Sequence, residues 1–232
     1  MPTRTGAYLA VQRRTQHLSP QRLAAALGYT NLANEDLHIR VVSHRKCRII
    51  SCMSNADLIR LWEEHTKHEF STRDTEATLD TMVDDAYVNH VPTMTGGFGK
   101  AALREFYSRD FIPSMPPDTT LTPVSRTVGE DQLVDEMIFS FTHTQEIPWM
   151  LPGIAPTNRR VDIPLVAIVR FRGDKLAHEH IYWDQASVLV QIGLLDPKLV
   201  PSAGIETAKK VLDKSLPSNT LMRRWSESEG KL

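Results

Sequence analysis

The hydrophobic pattern of the chain changes its period near residue 119, and this change constrains the fold more than any other feature. Before it, apolar residues recur every three or four positions in segments 54–70 and 99–111, as in amphipathic helices. After it, apolar and polar residues alternate, as in half-buried strands, over 119–127, 132–144, 159–171 and 175–184. Because the helices precede the long strands, the pattern predicts an α+β domain with an antiparallel sheet, and not a β-α-β winding.

Local signals predict where several of these elements begin. Ser54, with Asp57 three residues later, has the pattern of a helix N-cap with a capping box. Asp74 is placed to cap a short second helix. The pair Gly173-Asp174 predicts a tight hairpin turn between the last two strands.

A shorter strand is predicted over 86–90. Pro92 and then the pair Gly96-Gly97 follow it, and these residues predict that extended structure ends there. The third helix over 99–111 comes next and stops before Pro113.

Charge is distributed unevenly and indicates a boundary after residue 53. Residues 1–53 contain eight Lys or Arg and two acids, whereas the rest contains nineteen Lys or Arg and twenty-six acids. We interpret 1–53 as a basic N-terminal extension, 54–196 as one domain, and 197–232 as a C-terminal helix with a polar tail. The extension is either a disordered tail or a targeting segment, since a basic, acid-poor composition is typical of transit peptides. We expect a cytoplasmic protein, or a mitochondrial one if 1–53 is a transit peptide; translation could also begin at Met53.

Composition excludes several function classes. Both cysteines, Cys47 and Cys52, precede the domain, so the domain has no disulfide, cysteine zinc site or cysteine nucleophile. The net charge of −1 gives no global field that would attract nucleic acid or an anionic membrane, and no apolar stretch is long enough to span a bilayer. Phosphate-binding loops, dinucleotide fingerprints and the serine-hydrolase elbow are missing from the sequence, so no cofactor is predicted.

An ordered set of short motifs runs through the second half of the chain. It comprises Thr142-His143-Thr144, Pro152-Gly153-Ile154-Ala155-Pro156-Thr157-Asn158-Arg159-Arg160-Val161, Lys175-Leu176-x-x-Glu179 with Asp184, and Gln191-x-Gly193-Leu194. Upstream, Asn89-His90-Val91-Pro92 precedes a glycine-containing loop and a helix. Over residues 54–196 this set resembles the SnoaL-like polyketide cyclases of the nuclear transport factor 2-like superfamily. The resemblance implies a cone-shaped α+β barrel in which a curved antiparallel sheet wraps around the N-terminal helices and leaves a pocket.

Three positions depart from the family pattern. Asn158 replaces the usual loop glycine, although asparagine tolerates a positive φ better than most residues. Ala155 replaces the first proline of a pair, and His180 stands where the family often has tryptophan. The last change makes the expected pocket floor more basic, so the family's usual substrate is not assumed.

The last predicted strand carries the residues best suited to acid–base chemistry. With regular alternation, one face carries Leu176, His178, His180, Tyr182 and Asp184. The other face carries Ala177, Glu179, Ile181 and Trp183. We expect the first face to line the pocket, where its imidazoles and carboxylate would titrate near neutral pH. The resemblance assigns the catalytic base to Asp184, whereas in the alternative arrangement this face is exposed and Ile181 and Trp183 point inward.

Two more histidines are candidates. His90 ends the short strand before a Pro/Gly loop, where it either donates a proton at the pocket mouth or is a solvated turn residue. His65 lies on the apolar stripe of the first helix and is either a ligand-facing residue or a satisfied core histidine. The neighbouring Glu69 is interpreted as solvated or structural.

The remaining candidates lie in the long strand and the loop after it. Glu136 either orients His180 or pairs with an arginine across the sheet, and Phe139 belongs to an apolar strand face. Trp149 lies in the apolar loop 148–152, which is a substrate lid, a dimer contact or plain packing. No metal is predicted, because the spacing His178-x-His180-x-x-x-Asp184 supplies only part of a ligand set.

These residues predict a cofactor-independent acid–base enzyme, a cyclase, isomerase or dehydratase. It would act on a small apolar carbonyl compound such as a polyketide-like or terpenoid intermediate. Asp184 would be the base, His180 would polarise the carbonyl, His90 and Tyr182 would orient the substrate, and His178 would support them. The alternatives are a small-molecule binding protein without turnover and a lactone or epoxide hydrolase that activates water. A homodimer is expected, since a curved sheet leaves one face exposed.

Overall fold

The computed structural model describes residues 54–222. The predicted extension 1–53, with its targeting interpretation, and the end of the polar tail lie outside the described residues. Within 54–222, no helix combines the length and the apolar character that crossing a bilayer requires.

The helices form where the capping signals predict them. Helix α1 spans Asn55–Lys67 with the capping box of Ser54 and Asp57, and it continues as a π-helical turn, His68–Thr72. Helix α2 spans Thr75–Asp80 and is capped by the side chain of Asp74. Further along the chain come α3 (Gly99–Phe106) with its π-helical continuation Tyr107–Phe111, then α4 (Gln185–Gln191) and α5 (Glu206–Leu212).

Six strands form one sheet in the order β2-β1-β6-β5-β4-β3. Their bounds are Met82–His90 (β1), Thr95–Phe98 (β2), Thr120–Val128 (β3), Gln132–Thr142 (β4), Arg160–Arg172 (β5) and Lys175–Trp183 (β6). Strands β3 to β6 are antiparallel neighbours, as the alternation predicts, whereas β1 runs parallel to β6. Helix α1 contacts β3, β4 and β6, so the sheet curves around it and the fold class is the predicted α+β one.

Strand β2 is a difference from the sequence prediction. The Gly96-Gly97 pair was expected to end extended structure, yet Thr95–Phe98 pairs antiparallel with β1. An edge strand pairs through backbone groups, and Gly96 lies so close to the Val88 carbonyl that a Cβ there would overlap it. Position 96 therefore requires glycine, because the backbones of β1 and β2 approach each other closely there.

A bulge at the start of β6 shifts the alternation of its side chains. Phe171 of β5 pairs with Leu176, but the next partner, that of Arg170, is His178, so Ala177 is an extra residue. Leu176 points inward before the bulge, and beyond it the inward positions are Glu179 and Ile181. The bulge thus decides which side chains of β6 reach the interior.

Candidate functional site

The interior cavity lies between the inner face of the sheet and the helices α1 and α3 with their π-helical turns. Its volume is about 40 Å³. Most of its lining is apolar and includes Trp62, Phe70, Phe111, Met137, Phe139 and Ile181. The polar side chains that line it are Thr66, Glu69, His90, Trp149 and Glu179. The lining residues Thr66, Phe70 and Leu121 keep partial exposure, which marks the side where the cavity approaches the surface.

A buried histidine connects the two carboxylates of the cavity. His65 Nε2 lies 3.3 Å from Glu69 Oε1 and 3.1 Å from Glu179 Oε1. His65 is fully buried, and Glu69 and Glu179 are only 4% and 2% exposed. Helix geometry brings His65 and Glu69 to one side because they are four residues apart, and Glu69 lies in the π-helical turn. The three side chains form one cluster, which we call the His-Glu-Glu cluster.

Hydrogen bonds on the far side of the ring fix the orientation of His65. The Thr81 hydroxyl donates to the Thr78 carbonyl at 2.6 Å, so it accepts from His65 Nδ1 at 2.6 Å. His65 Nε2 is therefore the atom that faces both carboxylates. It lies at ion-pair distance from each, but its direction does not meet hydrogen-bond geometry with either.

The charges of the cluster depend on one another. Burial alone lowers the pKa of His65, but the charges of Glu179 and then Glu69 outweigh it and raise the pKa of His65 to about 10. Burial raises the pKa of Glu179, although the charge of His65 acts in the opposite direction. The cluster thus holds an imidazolium beside carboxylates in a site from which water is largely excluded.

Four further buried side-chain polar atoms have no hydrogen-bond partner within residues 54–222, namely the Tyr107 and Thr119 hydroxyls, His143 Nε2 and Trp149 Nε1. Of their side chains, Trp149 lines the cavity, and the Tyr107 hydroxyl is exposed to the charges of Glu69 and Glu179. Burial, together with the charges of Glu179 and Glu69, raises the pKa of Tyr107 well above its ordinary value, so the phenol stays protonated. Because buried polar groups are normally satisfied, these donors indicate a site built to meet a polar group.

His90 lies at the end of β1 in an aromatic cage. Its ring centroid is 4.9 Å from Trp149, 5.5 Å from Phe111 and 5.6 Å from Phe106. Nδ1 lies 3.3 Å from the Thr95 carbonyl, to which it donates. Burial lowers the pKa of His90 to about 4, so the ring is neutral and Nε2 is a hydrogen-bond acceptor.

Four of the sequence-predicted residues lie in or beside the cavity. His90, Phe139 and Trp149 line it, and His65 lies directly behind its two carboxylates. Two hydrogen bonds fix the backbone of Trp149, because its carbonyl accepts from the Thr93 and Thr95 hydroxyls at 2.8 Å. The structure therefore places the Trp149 loop against the cavity, in agreement with its buried side chain.

The prediction that the His180 face of β6 lines the pocket is wrong. His178 and His180 stack on each other at 4.6 Å outside the cavity, and Tyr182 is 41% exposed. Asp184 is exposed and caps α4 by accepting from the backbone N–H groups of Ala186 and Ser187. The physical reason is the bulge at Ala177, which turns Glu179 and Ile181 inward, together with the burial of Trp183.

Glu136 is a further correction. Its carboxylate accepts from the Ser125 hydroxyl at 2.7 Å on the outer face, and it contacts neither His180 nor the cavity. Asp135 is the inward carboxylate of this pair of residues. It accepts from Trp62 Nε1 at 2.8 Å and from the Arg126 guanidinium, and is therefore a structural group.

Sequence reasoning missed Glu69 and Glu179 as functional candidates. Each had a detectable signal, because Glu69 follows His65 by one helical turn and Glu179 alternates with Ile181 and Trp183. A carboxylate on an otherwise apolar helix or strand face is expected to be buried with that face, and a buried carboxylate needs a partner. The same three residues of the His-Glu-Glu cluster present ligand atoms within 4.8 Å of one another, so they have the donor set of a metal site.

Comparisons with known proteins agree with this architecture. The sequence model of the family described as SnoaL-like polyketide cyclase matches residues 57–192. TsrD from Streptomyces laurentii is 21% identical with a TM-score of 0.51, over 62% of this chain and 99% of TsrD. AclR, a putative hydroxylase from Streptomyces galilaeus, is 21% identical over 62% of this chain and 100% of AclR, with a TM-score of 0.49. No curated protein matches the sequence. At such identity the similarity to TsrD concerns the fold alone.

Proposed function

The chain belongs to the SnoaL-like polyketide cyclase family, and on this premise we propose that it is a cofactor-independent acid–base enzyme acting on a small apolar carbonyl compound. The reaction is proton transfer at the carbon next to the carbonyl, which leads to cyclisation, isomerisation or dehydration. A polyketide-like or terpenoid intermediate has the required chemistry.

One observation carries the proposal: two buried carboxylates, Glu69 and Glu179, line a cavity whose other walls are mostly aromatic and aliphatic. A carboxylate in apolar surroundings is a stronger base than one in water, because burial destabilises its charged form. The two carboxylates share one buried partner, His65, although burying a carboxylate costs free energy unless it is paired.

We assign the base to Glu179. It takes the proton when the substrate C–H bond breaks, and the electron pair passes into the carbonyl as an enolate. The enolate oxygen accepts from Trp149 Nε1–H, a buried donor without a partner among the described residues. Return of the proton from Glu179 to another carbon completes an isomerisation. In a dehydration the β-hydroxyl takes this proton and leaves as water. In a cyclisation the enolate carbon attacks a second carbonyl, whose oxygen takes the proton.

His90 acts as an acceptor and not as the acid that the sequence suggested. Its neutral ring offers Nε2, while Nδ1–H is engaged by the Thr95 carbonyl. Such a nitrogen accepts from a substrate hydroxyl and orients the molecule in the aromatic cage.

The size of the cavity limits the substrate. Sites for drug-sized ligands measure about 300–1,000 Å³, whereas this cavity has about 40 Å³. The substrate is therefore small, and the cavity widens to admit it. Phe70 lies at the partly exposed side and packs edge-on against Phe111 and Phe139, and rotation of this ring is the movement that we propose for opening the cavity.

The same proposal includes a homodimer. The outer sheet face, with Tyr182 at 41% and Tyr87 at 38% exposure beside His180, offers aromatic groups that a second copy would cover.

Exchange of hydrogen for deuterium next to a carbonyl tests the base without knowledge of the natural substrate. The full chain is incubated in D₂O with cyclopentanone, cyclohexanone or 2-indanone, and deuterium uptake is followed by NMR. We expect wild-type protein to accelerate exchange, and Glu179→Gln to reduce the acceleration by about 100-fold or more, since positioned general bases contribute about 10²–10⁴-fold.

Asp184→Asn is the matched control, because it removes one carboxylate that follows the same strand and lies outside the cavity. It should keep the wild-type exchange rate. Equal exchange by wild type and Glu179→Gln, or loss of exchange only in Asp184→Asn, would refute the assignment. If the wild type binds a ketone but does not accelerate exchange, the proposed enzyme activity is wrong and the protein is a small-molecule binding protein.

A further inference from the structure

We propose that the His-Glu-Glu cluster is also a binding site for one divalent transition-metal ion, through His65 Nε2 and one oxygen each from Glu69 and Glu179. The inference goes beyond the proposed function, because proton transfer by Glu179 requires no metal. It also differs from the sequence expectation of no metal, which considered only His178, His180 and Asp184 on the outer face.

The distances within the cluster are those of ligands around a single ion. With bond lengths of about 2.1 Å, neighbouring ligand atoms lie about 3.0 Å apart in an octahedral site and about 3.4 Å apart in a tetrahedral one. His65 Nε2 lies 3.1 Å from Glu179 Oε1 and 3.3 Å from Glu69 Oε1. All three ligand atoms lie within 4.8 Å of one another, which is close to the roughly 4.2 Å that would separate opposite ligands of one ion at about 2.1 Å each.

The directions of the atoms agree with this geometry. His65 Nε2 and Glu179 Oε1 are both buried, and neither has an aligned hydrogen-bond partner in the described part of the chain, despite their separation of 3.1 Å. Atoms that are close but not aimed at each other can be aimed at a common point between them. A cation at that point would satisfy both.

The pairing of the two carboxylates points the same way. No Lys or Arg within residues 54–222 forms an ion pair with Glu69 or Glu179, and the single ring of His65 lies between them. Buried charges are normally paired or coordinate a metal, and a divalent cation among the three side chains would provide this pairing.

The surroundings are arranged as around a metal-ligating histidine. Nδ1–H of His65 donates to the Thr81 hydroxyl, which holds the ring with Nε2 toward the carboxylates. The Tyr107 phenol, 1% exposed and without a partner among the described residues, is a donor on which both carboxylates act electrostatically. The carboxylates line the cavity, so the remaining coordination positions would open toward it.

The donor set of one imidazole and two carboxylates favours Mn²⁺, Fe²⁺, Co²⁺ or Zn²⁺ over soft ions. Mn²⁺ is the best probe, because Zn²⁺ would also bind the thiols of Cys47 and Cys52. The full chain is freed of metal with EDTA, dialysed and titrated with Mn²⁺, and free Mn²⁺ is measured by its EPR signal.

We expect one saturable Mn²⁺ per chain and a rise in Tm of about 5–10 °C at a hundredfold excess over Kd. Glu69→Gln and Glu179→Gln should each weaken binding at least tenfold, since each removes a ligand while keeping side-chain size. The His178→Ala/His180→Ala double variant should bind as the wild type does, because both rings lie on the outer face.

Absence of saturable binding by the wild type would overturn the proposal, as would binding that the double variant loses and the glutamine variants keep. If a glutamine variant fails to fold, the Tm rise of the wild type decides alone. Deuterium exchange in the metal-free sample separates the two proposals. If the chain accelerates exchange but does not bind Mn²⁺, the metal site is refuted and the proposed enzyme activity stands.

Discussion

Acidification should destabilise the fold through His90. The pKa of this ring is about 4 in the folded chain because it is buried, compared with its ordinary value of 6.5 when unfolded. The unfolded chain therefore binds a proton between these values that the folded chain does not, so the free energy of unfolding falls as pH drops from about 6.5 to 4. At about 1.4 kcal/mol per pH unit, the full loss is about 3 kcal/mol, and about 2 kcal/mol of it should appear between pH 7 and pH 5.

Urea unfolding followed by circular dichroism at these two pH values measures the loss. Other groups titrate in the same range, so the informative quantity is the difference between wild type and His90→Gln, which removes the proton acceptor. The variant should lose about 2 kcal/mol less than the wild type on acidification. His68→Gln serves as the control, since its ring is partly exposed and bonded only to Thr72. If His90→Gln and wild type lose the same free energy, the ring is not held neutral by burial.

Two further predictions concern the frame around the cavity. Asp135→Ala should lower the free energy of unfolding by about 2–3 kcal/mol, because it leaves the buried Trp62 Nε1–H without its acceptor and removes one partner of the partly exposed Arg126. Glu136→Ala on the outer face should cost less than about 1 kcal/mol, and similar losses in urea unfolding would refute this assignment. Gly96→Ala should prevent β2 from pairing, since its Cβ would overlap the Val88 carbonyl, whereas Gly173→Ala, also at positive φ but with open space around it, should cost only about 1–2 kcal/mol. Equal Tm values for the two glycine variants would contradict the close approach.

The frame of the domain could be predicted from sequence because its signals are local. The capping residues Ser54 and Asp74, and the two-residue turn Gly173-Asp174, lie where short-range geometry requires them. Asn158 adopts a φ of 56°, as its replacement of a loop glycine suggested. These features depend only on a few neighbouring residues.

The site could not be predicted fully because it depends on register. A regular alternation through β6 places His180 on the same face as Leu176, but the bulge at Ala177 separates the two residues onto opposite faces. The bulge arises from the pairing of β6 with β5, and the periodicity of the sequence does not reveal the register of this pairing. Glu179 therefore reached the cavity in place of His180.

The His-Glu-Glu cluster was hidden for a related reason. His65 and Glu69 lie on one helix, but Glu179 joins them only when β6 is placed beside α1 by the curvature of the sheet. A contact between residues more than a hundred positions apart in the sequence is not visible in local periodicity. The sequence does show one carboxylate on each of two apolar faces, Glu69 one helical turn after His65 and Glu179 in alternation with Ile181 and Trp183.

If the cavity is the place where a carbonyl compound is held, a bound ligand locates this place most directly. A crystal of the full chain soaked with 4-bromophenol, a planar mimic of an enol, gives an anomalous bromine signal. We predict this signal inside the sheet, with the phenol oxygen in hydrogen-bond reach of Trp149 Nε1 and the ring beside Glu179. Bromine bound only on the outer face near His180 and Tyr182, with the interior unchanged, would contradict the account.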